Sequence, residues 1–179
     1  MHNNILDAIG NTPLVKLNLD TPAAVCAKLE YLNPGGSIKD RASLYMIEEA
    51  EKSGKLKPGG TVIEASSGNQ GIAAAMIGRA KGYKVIITTS AKISEEKLKT
   101  IKAYGAEVRV FPCVTNMMSP ESYHGKAVEL AKKTPNSFML NQYMNPVNAD
   151  GHYHGLGPEI WKQTNGEITH LFAAAGTGG

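Results

Sequence analysis

With 179 residues the chain suits one domain, or one domain and part of a second, and is long enough to bury a core of its own. Apolar residues at 42% and charged residues at 20% exclude a disordered chain. The net charge of +3 comes from basic residues scattered along helix-like stretches, which excludes a nucleic-acid footprint, and no run of 18 apolar residues offers a membrane span.

The opening MHNNILDAIGNTPL lacks both a basic and an apolar targeting segment, so an unexported, cytoplasmic protein is expected. Cys26 and Cys113 stand far apart, in no metal-binding or redox spacing, and are expected to be buried reduced thiols. The pair His152 and His154 lacks a Cys or carboxylate to complete a ligand set, so no metal is expected.

The first readable element is a turn, Asn33-Pro34-Gly35-Gly36, leading into a helix from Ile38 to about Ser53. Ser37 caps that helix, Asp40 reaches back to it, and Gly54 ends it. From Thr61 onward short β-branched runs alternate with helix-like stretches, and no two-residue hairpin signal separates them. The strands are expected at 61–66, 84–90, 107–112, 137–140 and 169–175. Between them lie an Ala-rich helix from Asn69 to Lys81, one that follows Ser94 and opens with Glu95 and Glu96, and one opened by Ser119-Pro120. Helical crossovers between strands imply an α/β fold, an open twisted parallel sheet with helices on both faces.

In such sheets ligands gather at the carboxyl ends of strands, where Gly-rich loops meet helix N-termini. Three loops have that character. Pro34 to Arg41 (PGGSIKDR) puts Lys39 in the first turn of a helix, where a cation is disfavoured. One reading is an exposed surface lysine. The other is an amine whose pKa is lowered by the helix N-terminus and by Arg41, as Schiff-base chemistry requires. Ser66-Ser67-Gly68-Asn69-Gln70-Gly71 reads either as a helix cap or as a cup for a carboxylate. Gly176-Thr177-Gly178-Gly179 can converge backbone N–H groups on a phosphate, but it is neither a dinucleotide fingerprint nor a Walker A loop. The missing G-x-G-x-x-G also disfavours a nicotinamide-dependent dehydrogenase.

In order, NTPLVKLN, NPGGSIKDR, EASSGNQGIAAA, NQYMNP and AAAGTGG resemble the cysteine synthase and cystathionine β-synthase family of pyridoxal-phosphate enzymes, which have the tryptophan synthase β-like fold. The resemblance runs from Gly10 to Gly179. It implies that Lys39 is the Schiff-base lysine and general base, that Asn69 bonds the cofactor's ring hydroxyl, and that Gly176, Thr177, Gly178 and Gly179 hold its phosphate. Ser66, Ser67, Gly68, Gln70 and Gln142 would bind the substrate carboxylate. Residues 40–145 would form a smaller mobile domain, with 1–39 and 146–179 part of the larger one, which reads as incomplete, as in an N-terminal fragment. Where the family usually reads TSGNTG this chain reads SSGNQG, so Gln70 is larger than the residue it replaces.

The implied reaction is β-replacement on serine or O-acetylserine, with sulfide or a thiol such as homocysteine as acceptor, in a homodimer. SPESYHGKAVELAKKTPNSFMLNQY is closer to cystathionine β-synthases, whereas NPVNADGHYHGLGPEIW suits cysteine synthases, to whose side the reading leans. The alternatives are dehydratase-type β-elimination and a truncated, non-catalytic binding protein.

Overall fold

The computed structural model describes all 179 residues. Its centre is a four-stranded parallel sheet made of β3 (Thr61–Ala65), β4 (Lys84–Ser90), β5 (Glu107–Phe111) and β6 (Ser137–Met139), in the order β5-β4-β3-β6. Before it in the chain, β1 (Leu14–Lys16) and β2 (Cys26–Lys28) form a short antiparallel pair that the sequence pattern did not show. Three residues per strand are too few to display alternation.

The crossovers are α1 (Lys39–Lys52), α2 (Asn69–Ala80), α3 (Glu95–Ala103) and α4 (Tyr123–Lys133). β3 is buried along its whole length because helices cover both of its faces. On one face Val62, Val85 and Ile87 pack with Met46, Ile47, Ile77 and Ile101 of the helices. On the other, Ile63, Ala65 and Ile86 pack with Ala127 of α4. Ala73, Ala74 and Ala75 of α2 are fully buried, and small side chains let that helix lie close to both the sheet and α1.

Helix starts depart from expectation in instructive ways. Ser94 caps α3 as expected, accepting from the Lys97 N–H. Pro120, expected at a first helical position, instead sits in a turn, and α4 begins three residues later with Ser122 as its cap. The Ser122 hydroxyl accepts from the Gly125 N–H at 2.8 Å, a bond that proline cannot replace. At α1 the Ser37 hydroxyl accepts from the Lys39 N–H, while Asp40 reaches back past Ser37 to the Gly35 N–H at 2.5 Å.

Two expectations fail. Residues 169–175 form no strand: the segment makes no backbone hydrogen bond to the rest of the chain, and Leu171 and Phe172 are 69% and 91% exposed. Its composition suits a strand, but the segment pairs with neither edge of the sheet, and without a partner strand propensity alone makes no strand. Cys26 and Cys113 are exposed, not buried, because β2 belongs to the two-stranded pair and Cys113 follows edge strand β5. No helix is long and apolar enough to cross a membrane.

After β6 come α5 (Val147–Gly151), a π-helical turn (His152–Leu156) and α6 (Gly157–Gln163). α5 packs on α1, which brings the end of the chain back to the start of that helix.

Candidate active site

The first turn of α1 is fixed by charge. Arg41, 8% exposed, bonds Glu30 through Nε and Nη2 and Glu159 through Nη1 and Nη2, at 2.6–2.9 Å, and its Nη2 also reaches Thr12 Oγ1. Lys28 completes the cluster on Glu159. Burial pushes the Glu159 carboxyl up, but Arg41 and Lys28 together bring it down to about 2. The cluster ties α1 to the β1–β2 region and to α6, and so fixes the first turn of α1, on which Lys39 sits.

Lys39 Nζ donates to Thr177 Oγ1 at 3.4 Å, joining the first of the three loops to the last. Burial lowers the Lys39 pKa, with Glu64 pulling the other way. The low amine pKa expected from position thus has another main source: it is desolvation, and Arg41, engaged by two carboxylates, does not contribute.

Asn148 of α5 organises the same corner. Its Nδ2 donates to the Gln142 carbonyl at 2.9 Å and to Thr177 Oγ1 at 3.1 Å, while its Oδ1 is buried without a partner. Gln142, Thr177, Gly178 and Gly179 line one cleft of about 160 Å³. A Cβ on Gly179 would collide with Asn148 Oδ1, and Gly178 has φ +81°, so this loop's course is open to glycine alone. His152, whose Nδ1 is buried and unpartnered, has its pKa lowered by burial and then by the charge of Lys39.

The middle loop starts where β3 ends. β3 and β6 pair as far as Ile63 opposite Met139, so the loop after β3 and the turn after β6 leave the same end of the sheet. Ser66 Oγ accepts from the Gly68 N–H, and Ser67 Oγ is held by Thr89 and Ser90 at the end of β4. Asn69 is exposed at the start of α2. Gln70 is 2% exposed with neither amide atom bonded, an arrangement that costs about 1–3 kcal/mol per orphaned group until a polar partner arrives. No hydrogen bond joins this loop to Lys39 or to residues 176–179: Lys39 meets Thr177, Gln142 lines one cleft with residues 177–179, and the SSGNQG loop shares with them only the end of the sheet.

The sequence matches the family described as "Pyridoxal-phosphate dependent enzyme" over residues 5–179. The chain belongs to that family. Cystathionine beta-synthase of Apis mellifera is 48% identical over 98% of this chain, and cysteine synthase 1 of Emericella nidulans is 43% identical over 99%. This chain spans only 36% and 48% of their respective lengths. Among solved structures, O-ureido-L-serine synthase superposes with a TM-score of 0.84 at 39% identity, covering 94% of this chain and 52% of that one. A hydrogen sulfide-producing enzyme from Fusobacterium nucleatum gives 0.84 at 41% identity, covering 92% of this chain and 54% of the other.

The residues present fit the family's pyridoxal phosphate. A half-buried amine with a lowered pKa meets a loop that only glycine can follow, and the buried Asn148 Oδ1 and His152 Nδ1 beside them lack partners.

Sequence reasoning missed Asn148 and Glu64, and weighed His152 only as a metal ligand. For Glu64 a signal existed: a carboxylate inside TVIEA, a run otherwise suited to a strand covered on both faces. Burial pushes its pKa up to about 8, although the N–H groups of Asn141, Gln142 and Ala65 and the charge of Lys39 pull it down. An unfolded Glu loses its proton near 4.5, so between the two values the folded chain holds a proton that the unfolded chain has lost, and stability falls as pH rises. Asp40, raised to about 6 by burial, acts the same way only below that value. Urea midpoints are therefore expected to fall from pH 6.5 to 8 in the parent, and to stay flat in Glu64→Gln.

Proposed function

We propose that this chain holds pyridoxal phosphate on Lys39 and serves β-replacement on serine or O-acetylserine, giving cysteine or cystathionine. The observation that carries the reading is the meeting of Lys39 Nζ with Thr177 Oγ1, which unites a low-pKa amine with a glycine loop 138 residues away. When bound, the cofactor is an electron sink for the charge left at the substrate α-carbon.

The chain's own residues supply the rest. Lys39, kept partly desolvated, gives up its proton readily and takes the substrate's α-proton at Nζ. Residues 176–179 offer backbone N–H groups and the Thr177 hydroxyl to a phosphate, and Asn148 holds that hydroxyl in place. Asn69, exposed at the first position of α2, bonds the ring hydroxyl in this reading. Ser66, Ser67, Gly68 and Gln70, together with Gln142, take the substrate carboxylate at the start of α2, and the Ser67 hydroxyl also pins that loop to β4.

Residues 40–145, which contain the four-stranded sheet and most of its covering helices, act as the smaller mobile domain, and 1–39 with 146–179 belong to the larger. The family likeness supports a homodimer in the cytoplasm, where two exposed thiols suit a reducing compartment. Relatives of both names support sulfide or homocysteine as acceptor.

The test supplies serine or O-acetylserine with either acceptor to the cofactor-loaded chain and separates the products by mass. Cysteine or cystathionine is expected. Pyruvate alone would replace this reading with elimination, and no product at all would favour a binding role.

A further inference from the structure

Two side chains far apart in the sequence converge on one residue beside the site. Glu64 of β3 is 1% exposed, its Oε2 accepts from the Asn141 N–H at 2.8 Å, and its Oε1 is buried without a partner. His124 of α4 is 4% exposed, and its Nε2 lies 3.1 Å from Asn141 Oδ1. The start of α4 is itself fixed to the sheet, since the Thr88 hydroxyl donates to the Tyr123 carbonyl at 2.7 Å. Asn141 thus has both its backbone N–H and its side chain held by buried groups from two different elements.

Asn141 also carries φ +53°, in the left-handed region, which asparagine tolerates better than other non-glycine residues but does not adopt unless its surroundings select it. It is the hinge at which the chain leaves β6, and the next residue is Gln142, whose carbonyl is in turn held by Asn148. Nothing in the fold alone requires a carboxyl and an imidazole at this buried corner, where apolar side chains would cost less to desolvate.

We propose that Glu64 and His124 are positioning residues that fix Asn141 in its left-handed turn and thereby aim Gln142 at the substrate carboxylate. The inference rests on the reading of Gln142 as a carboxylate contact. It predicts a particular kinetic pattern, because the substrate carboxylate keeps its charge from ground state to transition state. A contact to it is uniform binding, so loosening Gln142 raises KM and leaves kcat unchanged.

The experiment compares the parent with His124→Val, His124→Gln and Glu64→Gln, reading three quantities. The first is hydrogen exchange at the Asn141 and Gln142 amides in the chain without cofactor, the second is affinity for pyridoxal phosphate, and the third is affinity of the loaded chain for L-serine. His124→Val is expected to speed exchange at the Asn141 amide about tenfold and weaken serine binding about tenfold, with cofactor affinity unchanged. His124→Gln, which keeps a hydrogen-bonding group, restores most of both, and Glu64→Gln, which keeps an acceptor, stays near the parent. Parental exchange and parental serine affinity in His124→Val would overturn the inference. Gln142→Ala serves as the control. Parental serine affinity in Gln142→Ala sinks the carboxylate reading of that residue, and the exchange measurement then decides the positioning claim by itself.

Discussion

Replacing Arg41 with methionine is expected to lower folding stability by about 3–5 kcal/mol, the range for breaking one side of a buried ion pair. The methionine keeps most of the packing volume, so the loss is electrostatic. Glu30 and Glu159, with side chains 15% and 13% exposed, lose their shared guanidinium, and only Glu159 retains a second cation, Lys28. The effect is local in origin and wide in reach, because Arg41 alone bonds the β1–β2 region, the turn before α1, and α6 at once. Urea unfolding followed by circular dichroism measures it. A change below about 1 kcal/mol would class the cluster with exposed surface pairs and remove the reason given for Lys39's fixed position.

Lys39→Ala carries the largest expected functional effect. Nζ is at once the proposed point of attachment and the proposed proton acceptor, and alanine supplies neither. Loss of a positioned general base costs roughly 100- to 10,000-fold in rate by itself, and loss of the attachment removes the anchored cofactor as well. The fold should survive, because Lys39 is only half-buried, its side chain bonds Thr177 alone, and alanine is the better helix former at the start of α1. Exchange of the α-proton of serine in heavy water, followed by proton NMR, is expected to vanish in Lys39→Ala while the urea midpoint stays within about 1 kcal/mol of the parent.

Much of this was legible in the sequence, for reasons that differ from part to part. The β3-to-β6 sheet was readable because its strands are short β-branched runs separated by helices with clear caps, as at Ser94 and Gly54. The strand expected at 169–175 fails for the opposite reason. Propensity is a property of the segment, but a strand exists only with a neighbour, and here Leu171 and Phe172 face solvent. The β1–β2 pair was too short to leave a pattern, and a cysteine's burial cannot be judged before its strand's place in the sheet is known.

At the site, Lys39 and the glycine loop were singled out as candidates by their local chemistry and given roles by the family resemblance, and one hydrogen bond joins them. The cause of the lysine's low pKa was not accessible, because desolvation depends on what covers the amine. Nor was Asn148, whose importance comes from bonds to Gln142 and Thr177 that lie 6 and 29 residues away in the chain. Gln70 stood out as a departure from TSGNTG, yet only the structure shows that neither of its amide atoms has a partner.

The claim that Lys39 holds the cofactor is tested most directly by loading the chain with pyridoxal phosphate, reducing with borohydride, digesting, and locating the label by mass spectrometry. One label on the peptide containing Lys39, absent in Lys39→Ala, is the result expected. A label on any of the other lysines, or none at all despite a folded chain, would contradict it.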